Sequence, residues 1–173
     1  MRPHVSKILV LSLLCAGACG AAEQPRAADG PGTGAGQAAA TRTGLKIKLA
    51  TVYVDDQDKA LRFYTDVLGF AKKDDVSRGP YRWLTVSAPD DPEGTALQLA
   101  LDDDPAAKAY QEARFQESQP AVMFFTDDVE GDYQRIKARG AEFTMPPTQV
   151  TNSTIATLKD TCGNLIQITE LAR

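Results

Sequence analysis

The chain has 173 residues, 43 % of them hydrophobic and 24 % charged, the proportions of one ordinary globular domain with extensions. Its formal net charge is -4 and no basic patch stands out, which argues against a nucleic-acid partner. The single histidine is His4, at the extreme N-terminus, so composition excludes chemistry that needs a His base or His metal ligand in the folded part.

Residues 1–18 read as a secretory signal peptide. Arg2 and Lys7 precede the apolar stretch Ile8 to Leu14, and the small residues Ala16, Gly17 and Ala18 abut Cys19. The apolar stretch is too short for an ordinary membrane span. Small residues directly before a cysteine resemble the lipobox of bacterial lipoproteins. That resemblance implies lipidation of Cys19 and an extracytoplasmic, membrane-anchored location, facing the periplasm or the cell surface. A plain signal peptide that happens to carry two cysteines is the alternative. Cys15 would leave with the signal, so Cys162 would be the one free thiol and no internal disulfide could form. Residues 19–44 are rich in Ala, Gly, Pro, Gln and Thr and read as a lipidated cysteine followed by a flexible tether. Twenty-five such residues reach about 25–30 Å.

The folded part is expected over residues 45–173. Residues 47–54 alternate as a strand, and Asp55-Asp56 offers an N-cap for a helix carrying Ala60, Phe63, Tyr64, Val67 and Leu68, stopped by Gly69. Strand-like runs follow at 70–76, 81–88 and 95–101. Asp104-Pro105 opens a linking helix over about 104–117. The pattern then restarts, with a strand at 121–126, a helix capped by Asp128 and stopped by Gly140, and strands near 142–144, 153–158 and 164–171. Pro146-Pro147 is assigned to the loop between the first two of those strands.

Two echoes show that this restart is a duplication. Asp91 to Leu99 and Asp160 to Ile168 both read D-x-x-G-x-x-[LI]-Q-[LI], 69 residues apart. Val54-Asp55-Asp56 and Thr126-Asp127-Asp128 stand 72 residues apart. A period near 70 marks a repeated module, here about 45–103 and 119–173. The motifs Ala60-Leu61-Arg62-Phe63-Tyr64 and Leu68-Gly69-Phe70, joined to the terminal turn at Asp160, resemble the vicinal oxygen chelate (VOC) superfamily, the glyoxalase, bleomycin-resistance and extradiol-dioxygenase group. The resemblance implies an α+β fold of two paired βαβββ modules, forming an eight-stranded open barrel with helices on the outer face and a ligand in the cup.

Relatives that hold a metal take one ligand, generally His or Glu, from each of four strands. The positions implied here are Leu49, Gln98, Ala121 and Gln167, none of which is His or a carboxylate, so no metal or other cofactor is expected. The two neutral amides suit a neutral or zwitterionic organic molecule. Satisfaction of the two Gln residues by each other or by water is the alternative. Alternation groups Tyr53, Gln98, Met123, Phe125 and Gln167 on the strand faces that the resemblance turns toward the cup, with Arg82 and Trp83 as further ligand-binding candidates. Catalytic residues are not identifiable, and Cys162 reads as inert because no histidine can activate it. The expected function is an exported, tethered, metal-free binding domain for a small organic molecule, with a binding role favoured over an enzymatic one and the enzyme question left open. A glyoxalase-like lyase or dioxygenase with a non-standard site, or an envelope protein-interaction module, are the alternatives. The resemblance also implies possible homodimerisation, with modules paired within one chain or exchanged between two.

Overall fold

Leu49–Val54 alternates as expected and forms β1 in the computed structural model, which describes residues 44–172. The signal segment, Cys19 and the tether lie outside the described residues. Asp56 caps α1 (Gln57–Arg62), its carboxylate accepting from the Asp58 and Lys59 N–H groups at 2.9 Å each. Two of the helix's otherwise unpaired amides are thereby satisfied. The element then widens into a π-helical turn, Phe63–Leu68, which the helical spacing of the sequence does not foretell. Gly69 ends it at φ 95°, a left-handed conformation that costs Gly little.

β2 (Ala71–Arg78), β3 (Tyr81–Ser87) and β4 (Ala96–Leu101) complete a sheet of order β1-β4-β3-β2, in which β1 and β4 run parallel. After the linking helix α2 (Pro105–Gln116), capped by Asp104, the arrangement recurs. The second module contains β5 (Val122–Phe125), α3 (Val129–Ala138), β6 (Phe143–Val150), β7 (Ser153–Lys159) and β8 (Leu165–Leu171), in sheet order β5-β8-β7-β6. The fold is thus α+β with two βαβββ modules, and the two four-stranded sheets are not closed into one ring by strand pairing. One expectation is corrected: Pro146-Pro147 lies inside β6 rather than in a loop. β6 is an edge strand whose register shifts between Met145 and Thr148, so the missing proline amides disrupt no regular ladder.

Both sheets bury one face in the same core. Val52, Val54, Leu97 and Leu99 from the first module join Ala156, Leu158, Ile166 and Ile168 from the second, with Phe63, Tyr64 and Ile136 from the helical elements. Phe70 packs on Phe124 across the modules, ring centroids 4.8 Å apart. Strand residues of the other phase therefore leave this core on both sides.

A buried polar knot ties the modules at their join. The Asp160 carboxylate accepts from the N–H groups of Cys162 and Asn164 at 2.8 and 2.7 Å and from Asn164 Nδ2 at 2.7 Å. Asn164 Nδ2 also donates to the Tyr53 carbonyl at 2.8 Å, and Gln111 Nε2 of α2 donates to the carbonyls of Tyr53 and Cys162, each at 2.8 Å. Burial raises the Asp160 pKa above its ordinary value of 3.8, although the Asn164 bonds pull it back down. Ionisation of Asp160 thus opposes folding, and its contribution falls as pH rises from the ordinary carboxylate value through the raised one. Asn164→Ala removes a bond that stabilises the anion and leaves the Tyr53 carbonyl short of a donor. Urea unfolding at pH 7 should show a loss of about 2–4 kcal/mol. The deficit should shrink as pH falls below the carboxylate range; a deficit independent of pH would contradict this account.

Candidate ligand-binding site

The face of each sheet turned away from the shared core carries the matched glutamines, and each sits in a row across three strands. In the first module the row is Thr51, Gln98 and Thr85, paired as Thr51↔Gln98 and Thr85↔Gln98. In the second it is Met123, Gln167 and Thr157, paired as Met123↔Gln167 and Thr157↔Gln167. Thr85 and Thr157 were missed from the sequence because a strand threonine carries no signal by itself. Their position opposite each Gln is a second element of the duplication.

The two glutamines do not satisfy each other. Gln98 Oε1 accepts from Thr51 Oγ1 at 3.1 Å, and its Nε2 donates to Tyr81 Oη at 3.2 Å. Gln167 Nε2 donates to Thr169 Oγ1 at 2.9 Å and reaches Met123 Sδ at 3.7 Å. Each amide is oriented by its own module, which fixes the direction in which it offers its remaining capacity.

The expected site residues fall into two groups. Tyr53, Trp83 and Gln98 have the open-face phase of the first module, which settles the face taken by Trp83. Met123, Phe125 and Gln167 have the open-face phase of the second. Met123 and Phe125 are 53 % and 67 % exposed. Tyr53 packs edge-on against Tyr110 of α2. Arg82 has the opposite phase and departs from this placement. Its guanidinium pairs with Asp75 and with Asp58 of α1, each at 2.7 Å, so its charge is already matched. The hydrogen bond from Arg82 holds the Asp75 carboxyl down to about 2, and Asp75 followed by Asp58 raises the Arg82 pKa.

Cavities follow the same division. A volume of about 600 Å³ beside Gln167 is lined by Phe115 of α2 with Met145, Ile155, Thr157 and Leu165 of the second module. A smaller one of about 180 Å³ beside Gln98 is lined by the first module and Asp103. Phe115, Met145 and Ile155 are functional candidates that the sequence did not single out. The alternation of β7 held the signal for Ile155 and Thr157, since Ala156 and Leu158, which alternate with them, are core residues.

The metal positions of the fold do not fit an ion here. Leu49 and Ala121 offer no donor, and the Gln98 carbonyl is already held by Thr51. Among the described residues no three His, Cys, Asp or Glu side chains converge to hold one. Cys162 is buried, and burial, then Asp55 and Asp160, push its thiol up to about 12.

The family model of the Glyoxalase/Bleomycin resistance protein/Dioxygenase superfamily matches residues 46–168. The chain belongs to this superfamily. Within it, the uncharacterized protein YurT of Bacillus subtilis (strain 168) is 49 % identical over 126 residues, covering 73 % of this chain and 99 % of YurT. A second uncharacterized Bacillus subtilis protein, YetH, is 30 % identical over 72 % of this chain and 98 % of its own length. Among solved structures, UcmS2 superposes with a TM-score of 0.65 at 26 % identity, covering 73 % of this chain and 98 % of UcmS2. TnmS3, an antibiotic binding protein from Streptomyces sp. CB03234, superposes with a TM-score of 0.61 at 26 % identity, covering 75 % of this chain and 99 % of TnmS3.

Two measurements check the local chemistry. In an NMR pH titration, Arg82→Gln should move the Asp75 carboxyl from about 2 toward its ordinary 3.8. Peptide mapping after iodoacetamide should find Cys162 unmodified in the native protein and alkylated in urea; rapid native labelling would contradict the buried, high-pKa thiol.

Proposed function

We propose that this superfamily member binds a small organic molecule without a metal or other cofactor, at a cup made from the first module of one copy and the second module of another. The observation that carries this reading is the pair of amide rows, each set on an apolar open face beside a cavity. Amides that hydrogen-bond without titrating, framed by Trp83, Met123, Phe125 and Ile155, are the composition of a small-molecule site. The antibiotic-binding relative TnmS3 supports the same ligand class. The lack of donors at Leu49 and Ala121 is what argues for binding rather than metal-assisted turnover.

A second copy is favoured because the two open faces leave the shared core separately, each with large apolar side chains in water. Leu49 and Tyr81 are exposed on one face, Met123 and Phe125 on the other. The outer edge strands are guarded: β2 carries Lys72, Lys73, Asp74 and Asp75, and β6 carries Pro146 and Pro147. The inner edge strands β1 and β5, Leu-Ala-Thr-Val-Tyr-Val and Val-Met-Phe-Phe, carry neither charge nor proline.

The lipobox-like segment supports export and anchoring through Cys19, with the domain held outside the cytoplasm on residues 19–44. Native mass spectrometry of the mature protein from its host should find a lipidated Cys19 terminus, a dimer, and no stoichiometric metal. In a melting-temperature screen of aromatic and amide-bearing metabolites, stabilisation by a hit should survive chelator. Gln167→Leu should lower that hit's affinity about tenfold, the cost of leaving a ligand polar group unpaired. Loss of binding on chelation would sink the metal-free reading, and a monomer that binds with full affinity would sink the paired cup. A dimer stabilised by no metabolite would favour the protein-interaction alternative instead.

A further inference from the structure

The duplicated modules differ most where their two central antiparallel strands pair. β7 and β8 are paired at seven positions, from Ser153↔Leu171 to Lys159↔Leu165. β3 and β4 are paired at only two, Thr85↔Gln98 and Val86↔Leu97. Beyond Gln98 the strands part, although β3 remains paired to β2 as far as Tyr81 and β4 to β1 as far as Leu101. The result is a slot between two central strands.

The side chain of Gln57, the first residue of α1, spans the parting. Its Nε2 donates to the Arg82 carbonyl of β3 at 3.1 Å and to the Leu99 carbonyl of β4 at 2.6 Å. The corresponding residue of the second module, 72 positions on, is Val129, which cannot bridge strands and stands where the sheet is fully zipped. The slot is therefore built by a specific residue, not by fraying. Gln57 is only 7 % exposed, and no described residue donates a hydrogen bond to its Oε1. Gln57 lines the slot and its Oε1 is not sealed from solvent, so it is available to accept from a bound donor.

The rest of the slot states which donor. Tyr81, Ala100 and Leu101 line it together with Gln98 and the acidic residue Asp103. The one cation that lines it, Arg82, is neutralised by Asp75 and Asp58. Acceptors and negative charge thus outweigh donors and positive charge, and a phenol ring is at hand for a cation.

We infer that this slot is a subsite for a primary ammonium or similar cationic N–H group on a short hydrocarbon or aromatic stem. The N–H groups face Gln57 Oε1 and the Asp103 carboxylate, and the stem lies against Tyr81 and Leu101. The inference rests on the reading of the chain as a binding protein, but not on the paired cup, because a single chain supplies every residue.

The test is an NMR titration of the full chain with benzylammonium, benzyl alcohol and benzoate. Benzylammonium should shift the Gln57 and Gln98 side-chain amide signals saturably, with benzyl alcohol and benzoate at least about tenfold weaker. Asp103→Asn, an exposed substitution, should weaken benzylammonium about three- to tenfold, and Ala100→Leu, which fills the slot, should abolish the shifts. Equal responses to the three probes, no saturable shift, or unchanged affinity in Asp103→Asn would each overturn the subsite. A chain that binds benzylammonium here but stays monomeric, or is stabilised by no larger metabolite, would keep the slot and remove the cup.

Discussion

The carbonyl of Tyr53 is where the two modules become one domain. It lies at the end of β1, and it accepts one amide from the terminal turn of the second module and one from the linking helix. Those amides belong to Asn164 and Gln111, which also bond to each other, and Asn164 is held by Asp160. Gln111, Asp160 and Asn164 are buried and Tyr53 is half-buried, so the removal of any one leaves others without partners in a medium that penalises them. The knot thereby fixes the first strand, the linker and the last turn in one geometry. The shared core forms around that arrangement.

That arrangement has a cost for the site. Because both sheets give one face to the common core, the glutamine rows lie on the other faces, one row on each sheet. Two cavities of unequal size, one beside each glutamine, are the direct outcome. Large apolar side chains, Phe125 above all, stand exposed on those faces.

Much of this was legible in the sequence. Alternation and caps located the strands and helices apart from the π-helical turn and the second half of β6, and the D-x-x-G-x-x-[LI]-Q-[LI] echo picked out the two matched glutamines. What escaped detection depends on long-range neighbours. The pairing of Arg82 with Asp58 and Asp75 depends on the fold and carries no local signal. Thr85 and Thr157 gain meaning only from strand register. Pro146-Pro147 suggested a loop because nothing local shows that β6 is an edge. Gln57 was silent, since a polar residue at a helix start is unremarkable until the strands behind it prove to be apart.

The guarding of β2 and β6 has a further consequence. Each sheet has two edges, one charged or proline-bearing and one bare. A copy that meets a partner through β1 and β5 uses its bare edges and keeps only those that resist pairing. Growth stops at a finite assembly rather than continuing into a fibre. Wherever local concentration is high enough to drive sheets to add to one another, that termination is a safeguard written into the two outermost strands.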